Sequence, residues 1–429
     1  MKRILLINSV LGVGSTGKIV AEYAERFLEE GYDVHVAYGR GSAPEQFHSI
    51  SIRIGGGFNA PMHALSSRLF DSSGLGSKKA TRLFLKKAEK FNPDVLWLHN
   101  LHGYYINLPL LFEWIRNRPQ MKVILTLHDC WLFTGHCSHF TSVGCRQWQS
   151  GCHSCPANYS FRKAYPKTWA KPKCKRNFAW KKALFSNLSN LQLVAPSEWL
   201  KSEVEKSFLS SYPISVIKNH IDLSIFQKTE SDIKQKFALE NSIVILSVAN
   251  SWTPGKGFLD IPKIAKNLNA SFALILVGTR KHDVKKLKDL MRPYKCRVQK
   301  HNGATELVFG EHNSERTKRD YTSEAIPRNP ESMIAALLQD RHHSSNKRCV
   351  SKIICFEQTN SQRSLAQLYS LADAFINCTH EDNYPTVNLE ATSCGCPVLT
   401  YDVGGCKETI EPQPATSDFW EGINRVLLD

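Results

Sequence analysis

The sequence lacks the long apolar runs of an integral membrane protein, because none reaches the roughly 18 uninterrupted apolar residues that a membrane-spanning helix needs. The N-terminus has only Met1–Arg3 before the short apolar run Ile4–Ile7, which is too short for a secretory signal peptide. We therefore expect neither export by that route nor membrane insertion. Wholesale disorder is excluded as well, because 42% of the residues are hydrophobic and 22% are charged.

Acidic residues are scarce relative to basic ones, with 39 Asp and Glu against 55 Lys and Arg, which gives a net charge of +16. Residues 130–197 contain ten Lys and Arg and no Asp or Glu. Net charge indicates partners rather than fold, and nucleic acid, an anionic membrane surface and phosphorylated substrates all fit. In a cytosolic protein the 13 cysteines are buried apolar residues, metal ligands or residues without a special role, not a disulfide framework.

The length of 429 residues predicts two or three domains at about 150 residues each. Short apolar runs, typical of strands covered on both faces, alternate with helical patterns. In the first half the predicted strands are Arg3–Asn8, Asp33–Tyr38, Asp94–His99 and Lys122–Leu127, and the first helix is Lys18–Glu30. In the second half the predicted strands are Ile243–Val248, Phe272–Val277, Lys352–Phe356, Ala374–Asn377 and Pro397–Thr400, with helices at Leu365–Leu371 and Val387–Ser393.

This alternation predicts an α/β fold of two facing, Rossmann-like, doubly wound domains. We expect domains over residues 1–210 and 211–415, followed by a C-terminal helix over residues 416–429. Residues 283–350 break the pattern and are interpreted as an insertion, with a helix predicted at Glu331–Leu338. Ligands in such folds bind beyond the carboxyl ends of the strands, so we expect the site in the cleft between the domains.

A glycine-rich segment follows the first strand and opens a helix. It includes Gly12, Gly14 and Gly17-Lys18, and glycines there allow a phosphate to approach the backbone and the helix N-terminus. The spacing also fits a nucleoside-triphosphatase P-loop, but Ile19 stands where the magnesium-binding Ser or Thr should be. A tight turn without a ligand is the third interpretation. We favour a loop that faces a phosphate or a substrate.

Two histidine segments follow neighbouring predicted strands. His128-Asp129 comes at the end of Lys122–Leu127, where α/β folds place their chemistry. The imidazole of His128 could donate to a sugar hydroxyl or a phosphate while Asp129 orients it, or His128 could be a satisfied histidine at a strand edge. His99 and His102, after the preceding strand, are weaker candidates for the same wall.

Four cysteines cluster beyond His128, namely Cys137, Cys145, Cys152 and Cys155. Four thiolates suit tetrahedral zinc, and the last two form a C-x-x-C knuckle. The other spacings are irregular, so buried or loop thiols are the alternative to a structural zinc site.

Basic and aromatic residues alternate over residues 162–182. The basic members are Arg162, Lys163, Lys167, Lys171, Lys173, Lys175, Arg176, Lys181 and Lys182. Such a surface can bind nucleic acid, lie on an anionic leaflet or simply be a solvated basic face. We favour the membrane and expect no nucleic-acid partner, because no nucleic-acid-binding motif accompanies the charge.

Lys256 lies in the turn Pro254–Gly257 after the strand Ile243–Val248. A lysine between glycines at a strand-to-helix turn can reach a diphosphate, although a solvated turn lysine has the same pattern. Arg280, after Val277-Gly278, is a second candidate cation.

The most specific motif is His380–Ala391. Asp382 precedes a predicted helix and Glu390 lies within it, with seven residues between the two carboxylates. The N-terminal amides of the helix can bind phosphate oxygens, and the carboxylates can accept hydroxyls from a sugar and a ribose. The alternative is a capping carboxylate and an ordinary helix glutamate.

This motif resembles that of the family 4 glycosyltransferases, which have the GT-B architecture of two facing Rossmann-like domains. Their pattern is an acidic residue, seven residues, Glu and then a small-Gly-small-Pro turn, which corresponds here to Asp382, Glu390, Gly395 and Pro397. Asp382 stands where the family more often has Glu.

The resemblance covers most of residues 1–282 and 351–410. It is closest to the bacterial exopolysaccharide enzymes of the colanic-acid type, through Gly14–Gly17, His99–Tyr105 and the segment that begins at His128.

The resemblance also implies site residues. Lys256 would neutralise the donor diphosphate, Glu390 would hold the ribose, and Asp382 would contact the transferred sugar, with Asn383 beside it in the donor site. His128 would lie near the sugar or the acceptor. Lys256, Asp382 and His128 are thus the expected catalytic residues.

The implied activity is that of a retaining glycosyltransferase. It would move a hexose from a UDP- or GDP-linked donor to a lipid-linked or polysaccharide acceptor in exopolysaccharide, capsule or lipopolysaccharide assembly. Gly14 and Gly17 would face the donor diphosphate from the first domain. Front-face displacement requires no cofactor or metal, and the sequence contains no metal-binding Asp-x-Asp pattern. The expected location is cytoplasmic, peripheral at the inner face of the plasma membrane, with the basic stretch against anionic lipid.

The alternative is a catalytically degraded protein of the same fold that only binds a nucleotide-sugar or a membrane. Asp382 in place of Glu, the lack of an Arg within Ala249–Trp252, the insertion and the short C-terminus motivate it. Donor binding without transfer to any acceptor would support that alternative.

Overall fold

The computed structural model describes residues 1–153, 155, 166–169, 171–268, 272–292, 294, 296–301, 303–309, 352–410 and 416–428. The chain forms two compact units, residues 1–219 with 414–429, and residues 220–413. The first unit therefore extends beyond the expected boundary at 210, because the strand Ile214–Val216 is the last strand of its sheet.

Buried apolar runs form a seven-stranded sheet in the first unit. Its strands are β1 (Arg3–Asn8), β2 (Asp33–Tyr38), β3 (Ser51–Arg53), β4 (Val95–Leu98), β5 (Lys122–Thr126), β6 (Leu191–Ala195) and β7 (Ile214–Val216). Its helices in this segment are α1 (Gly14–Glu29), α2 (Asn59–Phe70), α3 (Lys78–Phe91), α4 (Leu108–Arg116), α5 (Cys174–Phe185) and α6 (Glu198–Glu205). All strand pairs are parallel, in the order β3-β2-β1-β4-β5-β6-β7.

The second unit contains another seven-stranded sheet. Its strands are β8 (Ile243–Val248), β9 (Phe272–Val277), β10 (Cys296–His301), β11 (Ala304–Phe309), β12 (Lys352–Phe356), β13 (Ala374–Asn377) and β14 (Val398–Thr400). Its helices are α7 (Ile233–Lys236), α8 (Ile261–Asn267), α9 (Lys281–Leu290), α10 (Gln362–Leu371) and α11 (Thr386–Ser393). The strand order is β10-β11-β12-β9-β8-β13-β14, and the β10–β11 and β11–β12 pairs are antiparallel.

The last helix, α12 (Thr416–Leu428), belongs to the first unit rather than forming a separate segment. Ile423, Val426 and Leu427 are buried in the same apolar cluster as Tyr23 and Phe27 of α1. The guanidinium of Arg26 lies over the ring of Trp420, 5.5 Å from its centroid.

Each sheet contains a point at which the order of its strands changes direction, next to loops that carry predicted site residues. In the first sheet β1 lies between β2 and β4, and in the second sheet β8 lies between β9 and β13. Each sheet therefore has one topological switch point, where the connections from adjacent strands lead in opposite directions. It lies between β1 and β4 in the first sheet and between β8 and β13 in the second. Open α/β sheets bind their ligands at such points.

The described part of the segment 283–350 belongs to the regular fold. Its beginning continues α9 and then forms the β10–β11 hairpin, which extends the sheet beyond β12. The helix predicted at Glu331–Leu338 lies outside the described residues. Among the described residues, no helix has both the length and the apolar character needed to cross a bilayer.

Candidate functional site

The loop after β8 holds Lys256 against the loop that follows β13. A short 3₁₀ turn at Pro254–Lys256 is capped by Thr253, whose hydroxyl accepts from the Lys256 amide at 3.2 Å. Gly257 then adopts φ 72°, and a Cβ there would overlap the carbonyl oxygen of Cys378. Only glycine allows these two loops to approach so closely.

Lys256 is paired with Asp382 in this structure. Its ammonium lies 2.5 Å from the Asp382 carboxylate and donates to the Glu381 carbonyl at 3.3 Å. Burial lowers the pKa of Lys256, but the carboxylate of Asp382 and its hydrogen bond outweigh burial, so the net pKa is raised. The side chain keeps 40% of its surface exposed, so this fixed cation is accessible to a ligand.

The loop after β13 is held by polar contacts within itself and with the turn after β8. The Asp382 carboxylate accepts from the Tyr384 amide at 3.3 Å, and the His380 amide donates to the Gly255 carbonyl at 2.8 Å. Asn383, which was expected to bind the donor, is buried in this loop, with 3% of its surface exposed. The chain then enters α11, whose N-cap residue Pro385 makes no side-chain capping hydrogen bond.

Glu390 lies in α11 and accepts a hydrogen bond from the Tyr369 hydroxyl of α10 at 3.0 Å. Burial and the adjacent carboxylate raise the pKa of Tyr369 well above its usual value, so the phenol stays protonated and remains a donor. Asn388, two residues earlier, links β13 to the end of the domain, because its amide bonds Asn377 at 2.9 Å and Thr409 at 2.8 Å. The helix that carries Glu390 is therefore fixed by buried polar contacts.

Sequence reasoning missed two residues that shape this site. Asp260 contacts the His380 imidazole at 2.6 Å and Lys263 at 3.2 Å. Burial raises the pKa of Asp260, but its hydrogen bonds to His380 and Lys263 outweigh burial and lower it. Tyr369 is the second, and neither residue stands in a recognisable motif. The predicted cation Arg280 is exposed, and its amide is capped by the Asp283 carboxylate at 2.9 Å.

In the first unit the glycine segment forms the first turn of α1. The helix begins at Gly14 instead of Lys18, so Gly14 and Gly17 lie inside it. Gly12 and Gly14 have φ 73° and 66°, and a Cβ on Gly12 would overlap Pro44. Around Gly14 a Cβ would meet nothing within 4 Å, so the backbone there is open to a ligand.

His128 contacts His99, whereas Asp129 contacts His102. The His128 and His99 rings stack with centroids 5.3 Å apart and with ring nitrogens at 3.1 Å. The Asp129 carboxylate lies 2.5 Å from the His102 imidazole. Orientation of His128 by Asp129 stays a prediction. Burial lowers the pKa of His128 to about 4. His128 is therefore neutral near pH 7 and can exchange hydrogen bonds but cannot supply a charge.

The cysteine cluster lies in the core of the first unit. Cys137, Cys152 and Cys174 are buried members of the apolar core of this unit. Cys145 and Cys155 are partly buried and pack against that core. In the described part of the chain, no group of three or more His, Cys, Asp or Glu side chains is placed to hold a metal ion. Burial and the nearby thiols of Cys145, Cys152 and Cys155 raise the pKa of Cys137, so the four cysteines lie close enough to interact electrostatically. The structural zinc site at these four cysteines therefore stays a prediction.

The basic stretch is divided between surface and core. Lys167, Lys171, Lys173, Lys175, Arg176 and Lys182 are exposed. Lys181 is buried instead, because its ammonium donates to the Trp131 carbonyl at 2.5 Å and lies 4.0 Å from the centroid of that ring. Burial lowers the pKa of Lys181 to about 8. Arg162 and Lys163 lie outside the described residues.

Two family models match the chain. The model described as glycosyltransferase family 4 matches residues 16–225, and the model described as glycosyl transferases group 1 matches residues 340–416. The colanic acid biosynthesis glycosyl transferase WcaC of Escherichia coli K12 is 29% identical over 235 residues, which are 52% of this chain and 55% of that protein. The D-inositol 3-phosphate glycosyltransferase of Actinosynnema mirum is 31% identical over 87 residues, which are 18% of this chain and 21% of that protein.

Solved structures share the fold at low identity. Sucrose-phosphate synthase from Thermosynechococcus elongatus has a TM-score of 0.58 at 14% identity, covering 100% of this chain and 90% of that one. Anabaena HepE in complex with UDP and glucose has a TM-score of 0.54 at 15% identity, with the same coverage. WaaG, a glycosyltransferase involved in lipopolysaccharide biosynthesis, has a TM-score of 0.53 at 14% identity, covering 99% of this chain and 90% of that one.

Two doubly wound units, each with polar loops at its switch point, define a protein of the GT-B fold. The chain belongs to the family 4 glycosyltransferases, as the resemblance of its Asp382–Glu390 motif predicted, and it is similar to an exopolysaccharide enzyme of that family. The matched segments span about half of the first curated relative and about a fifth of the second.

Proposed function

We propose that the chain is a retaining, metal-independent hexosyltransferase. It takes a hexose from a UDP- or GDP-linked donor and transfers it to a lipid-linked or polysaccharide acceptor in exopolysaccharide, capsule or lipopolysaccharide assembly. The reaction takes place at the inner face of the plasma membrane. Its family membership and its similarity to an exopolysaccharide enzyme support this proposal.

The observation that carries the donor assignment is the convergence of Lys256, Asp382 and α11 at one switch point. Lys256 provides a cation with exposed surface, and α11 begins four residues after Asp382. A cation beside a helix N-terminus favours a diphosphate, since both stabilise negative charge. Glu390, oriented by Tyr369, is the acceptor for ribose hydroxyls.

The proposed chemistry breaks the bond between the sugar C1 and the diphosphate oxygen, and forms a bond from C1 to the acceptor oxygen on the same face. The leaving diphosphate oxygen takes the proton of the acceptor hydroxyl. Negative charge grows on the diphosphate as the bond breaks, and in this proposal Lys256 and the amides of α11 stabilise it. Asp382 contacts the transferred sugar while its carboxylate stays beside Lys256.

Donor binding and slow donor hydrolysis test the proposal directly. We would titrate the purified chain with UDP-, GDP- and ADP-sugars by calorimetry and measure free nucleotide release without acceptor. Lys256→Ala should weaken binding of the preferred donor roughly 10- to 100-fold, as expected for loss of a charge-assisted contact. Glu390→Gln should weaken binding of the nucleotide, because the ribose loses its acceptor.

Matched controls come from the same unit. Lys236→Ala removes an exposed lysine of α7 that is paired with Asp232, and Glu240→Gln changes an exposed glutamate. Both should leave donor binding unchanged. Binding of no donor by the wild-type chain would refute the proposal, whereas binding without transfer to any acceptor would favour the catalytically degraded alternative.

A further inference from the structure

Helix α2 presents an apolar stripe to solvent. Phe58, Met62, Leu65 and Leu69 are 83%, 70%, 49% and 45% exposed. Their spacings of four, three and four residues place them on one face of the helix. Phe70 at the end of the helix is 57% exposed. Single exposed apolar residues are common on protein surfaces, but a contiguous exposed apolar patch indicates an interaction site.

The inward side of α2 is polar, which reverses the usual orientation of a surface helix. His63 and Ser67 are 3% and 1% exposed. The His63 ring contacts the Ser77 hydroxyl at 2.9 Å and accepts from the Gly76 amide at 3.1 Å. The helix is therefore held to the unit by polar contacts, and its apolar face is left outside the core.

An exposed tryptophan lies beside the C-terminal end of α2. The Trp169 amide donates to the Arg68 carbonyl at 2.8 Å, and the Arg68 guanidinium lies 5.6 Å from the centroid of its ring. The Trp169 side chain is 54% exposed. Tryptophan, with a large apolar ring and one N–H, is the residue that membrane–water interfaces favour.

The surroundings of this face are strongly basic. The Lys173 amide donates to Asp71 at 2.6 Å and Arg176 donates to the Phe70 carbonyl at 3.3 Å, which brings the exposed cations of residues 167–176 next to the end of α2. Asp71 is the sole acid between residues 46 and 88, and it is 2% exposed. Residues 130–197 contain no acid. These segments therefore place no exposed carboxylate beside the face that would repel an anionic partner.

We propose that the outer face of α2, together with Trp169, inserts into the headgroup region of an anionic lipid bilayer. The apolar stripe enters the boundary of the acyl chains, and the cations of residues 167–176 contact lipid phosphates. This inference rests on the proposed membrane partner and assigns it to α2, but it does not depend on the transfer reaction. A second copy of the chain fits the face less well, because a two-fold contact would bring the same basic surroundings together.

Vesicle sedimentation tests the inference. The wild-type chain should sediment with vesicles of phosphatidylcholine mixed with phosphatidylglycerol, and much less with phosphatidylcholine alone. The double variant Leu65→Ser/Leu69→Ser should bind the anionic vesicles at least about tenfold more weakly, because it removes buried apolar area at the interface. Lys171→Gln/Lys173→Gln should weaken binding and reduce its dependence on salt.

The matched control is Leu28→Ser/Leu223→Ser, which removes two exposed leucines that are 41% and 53% exposed elsewhere on the chain. It should bind the anionic vesicles as the wild-type chain does, and circular dichroism should show that all variants are folded. Unchanged vesicle binding of the α2 variant would overturn the inference. So would loss of self-association in sedimentation velocity with vesicle binding intact, since the face would then join two copies. Donor hydrolysis without lipid should persist in the α2 variants, which separates this test from that of the transfer reaction.

Discussion

At the scale of single residues, the contact between Lys256 and Asp382 determines the charge that the donor site offers. The two side chains are 126 positions apart in the sequence, and a 2.5 Å contact joins them. Burial alone would lower the pKa of Lys256, so the charge of this lysine at alkaline pH depends on its carboxylate partner. Donor binding at alkaline pH should therefore also depend on the Asp382 carboxylate.

Asp382→Asn should therefore shift the pH at which the donor is lost. In the wild-type chain the raised pKa keeps Lys256 charged above the pH at which an ordinary lysine loses its proton, so donor binding should persist into that alkaline range. With asparagine the lowering effect of burial remains while the main raising effect is gone, so binding should fall at lower pH. Calorimetric titration with UDP over this range would measure the shift.

The control for this prediction is Asp232→Asn, which removes an exposed carboxylate that pairs with Lys236 of α7. It should leave the pH profile unchanged. Identical profiles for the wild-type chain and Asp382→Asn would show that Asp382 does not maintain the charge of Lys256.

At the scale of elements, the turn after β8 can approach the loop after β13 because Gly257 has no side chain. Gly257→Ala should destabilise the second unit by roughly 2–5 kcal/mol, combining the cost of a positive φ with overlap against a backbone carbonyl that cannot rotate away. Gly303→Ala is the matched control, because Gly303 has φ 78° in the same unit and open space around it. Urea unfolding should show a cost of about 1–2 kcal/mol for the control. Equal costs for both variants would mean that the close approach is unimportant.

Most strands formed by continuous apolar runs could be predicted from the sequence, although the buried strand β6 was missed. The strands β1, β2, β8, β9, β12 and β13 have the predicted bounds, since continuous apolar runs define them. The strand β10 was missed because its exposed residues include Arg297 and Lys300. Helix α2 was missed because its apolar residues point outward, against the pattern by which surface helices are recognised.

The candidate site, too, could be predicted only where its signal is local in the sequence. The spacing of Asp382 and Glu390 within one motif is local and could be read from the sequence. The contacts of Tyr369 with Glu390 and of Asp129 with His102 depend on how distant segments pack, so the sequence alone could not predict them.

At the scale of the whole molecule, the chain returns to its first unit for its last helix. Apolar residues of α12 join the cluster formed by α1 and by strands β1 and β2. The core of the first unit therefore includes α12, although the whole second unit separates α12 from the rest of the first unit in the sequence. The stability of the N-terminal sheet should therefore respond to a substitution more than 400 positions away from its first strand.

Ile423→Ala tests this dependence, because Ile423 has no exposed surface. Loss of its buried side chain should destabilise the first unit by about 2–5 kcal/mol. Arg425→Ala, which changes an exposed residue paired with Glu421 on the same helix, should cost less than about 0.5 kcal/mol. Amide hydrogen exchange separates the two units, because the amides of β1 and β4 should exchange faster in Ile423→Ala while those of β8 and β9 should not. Faster exchange in β8 and β9 alone would place α12 with the second unit, and the first unit would then have to owe its stability to residues 1–219 alone.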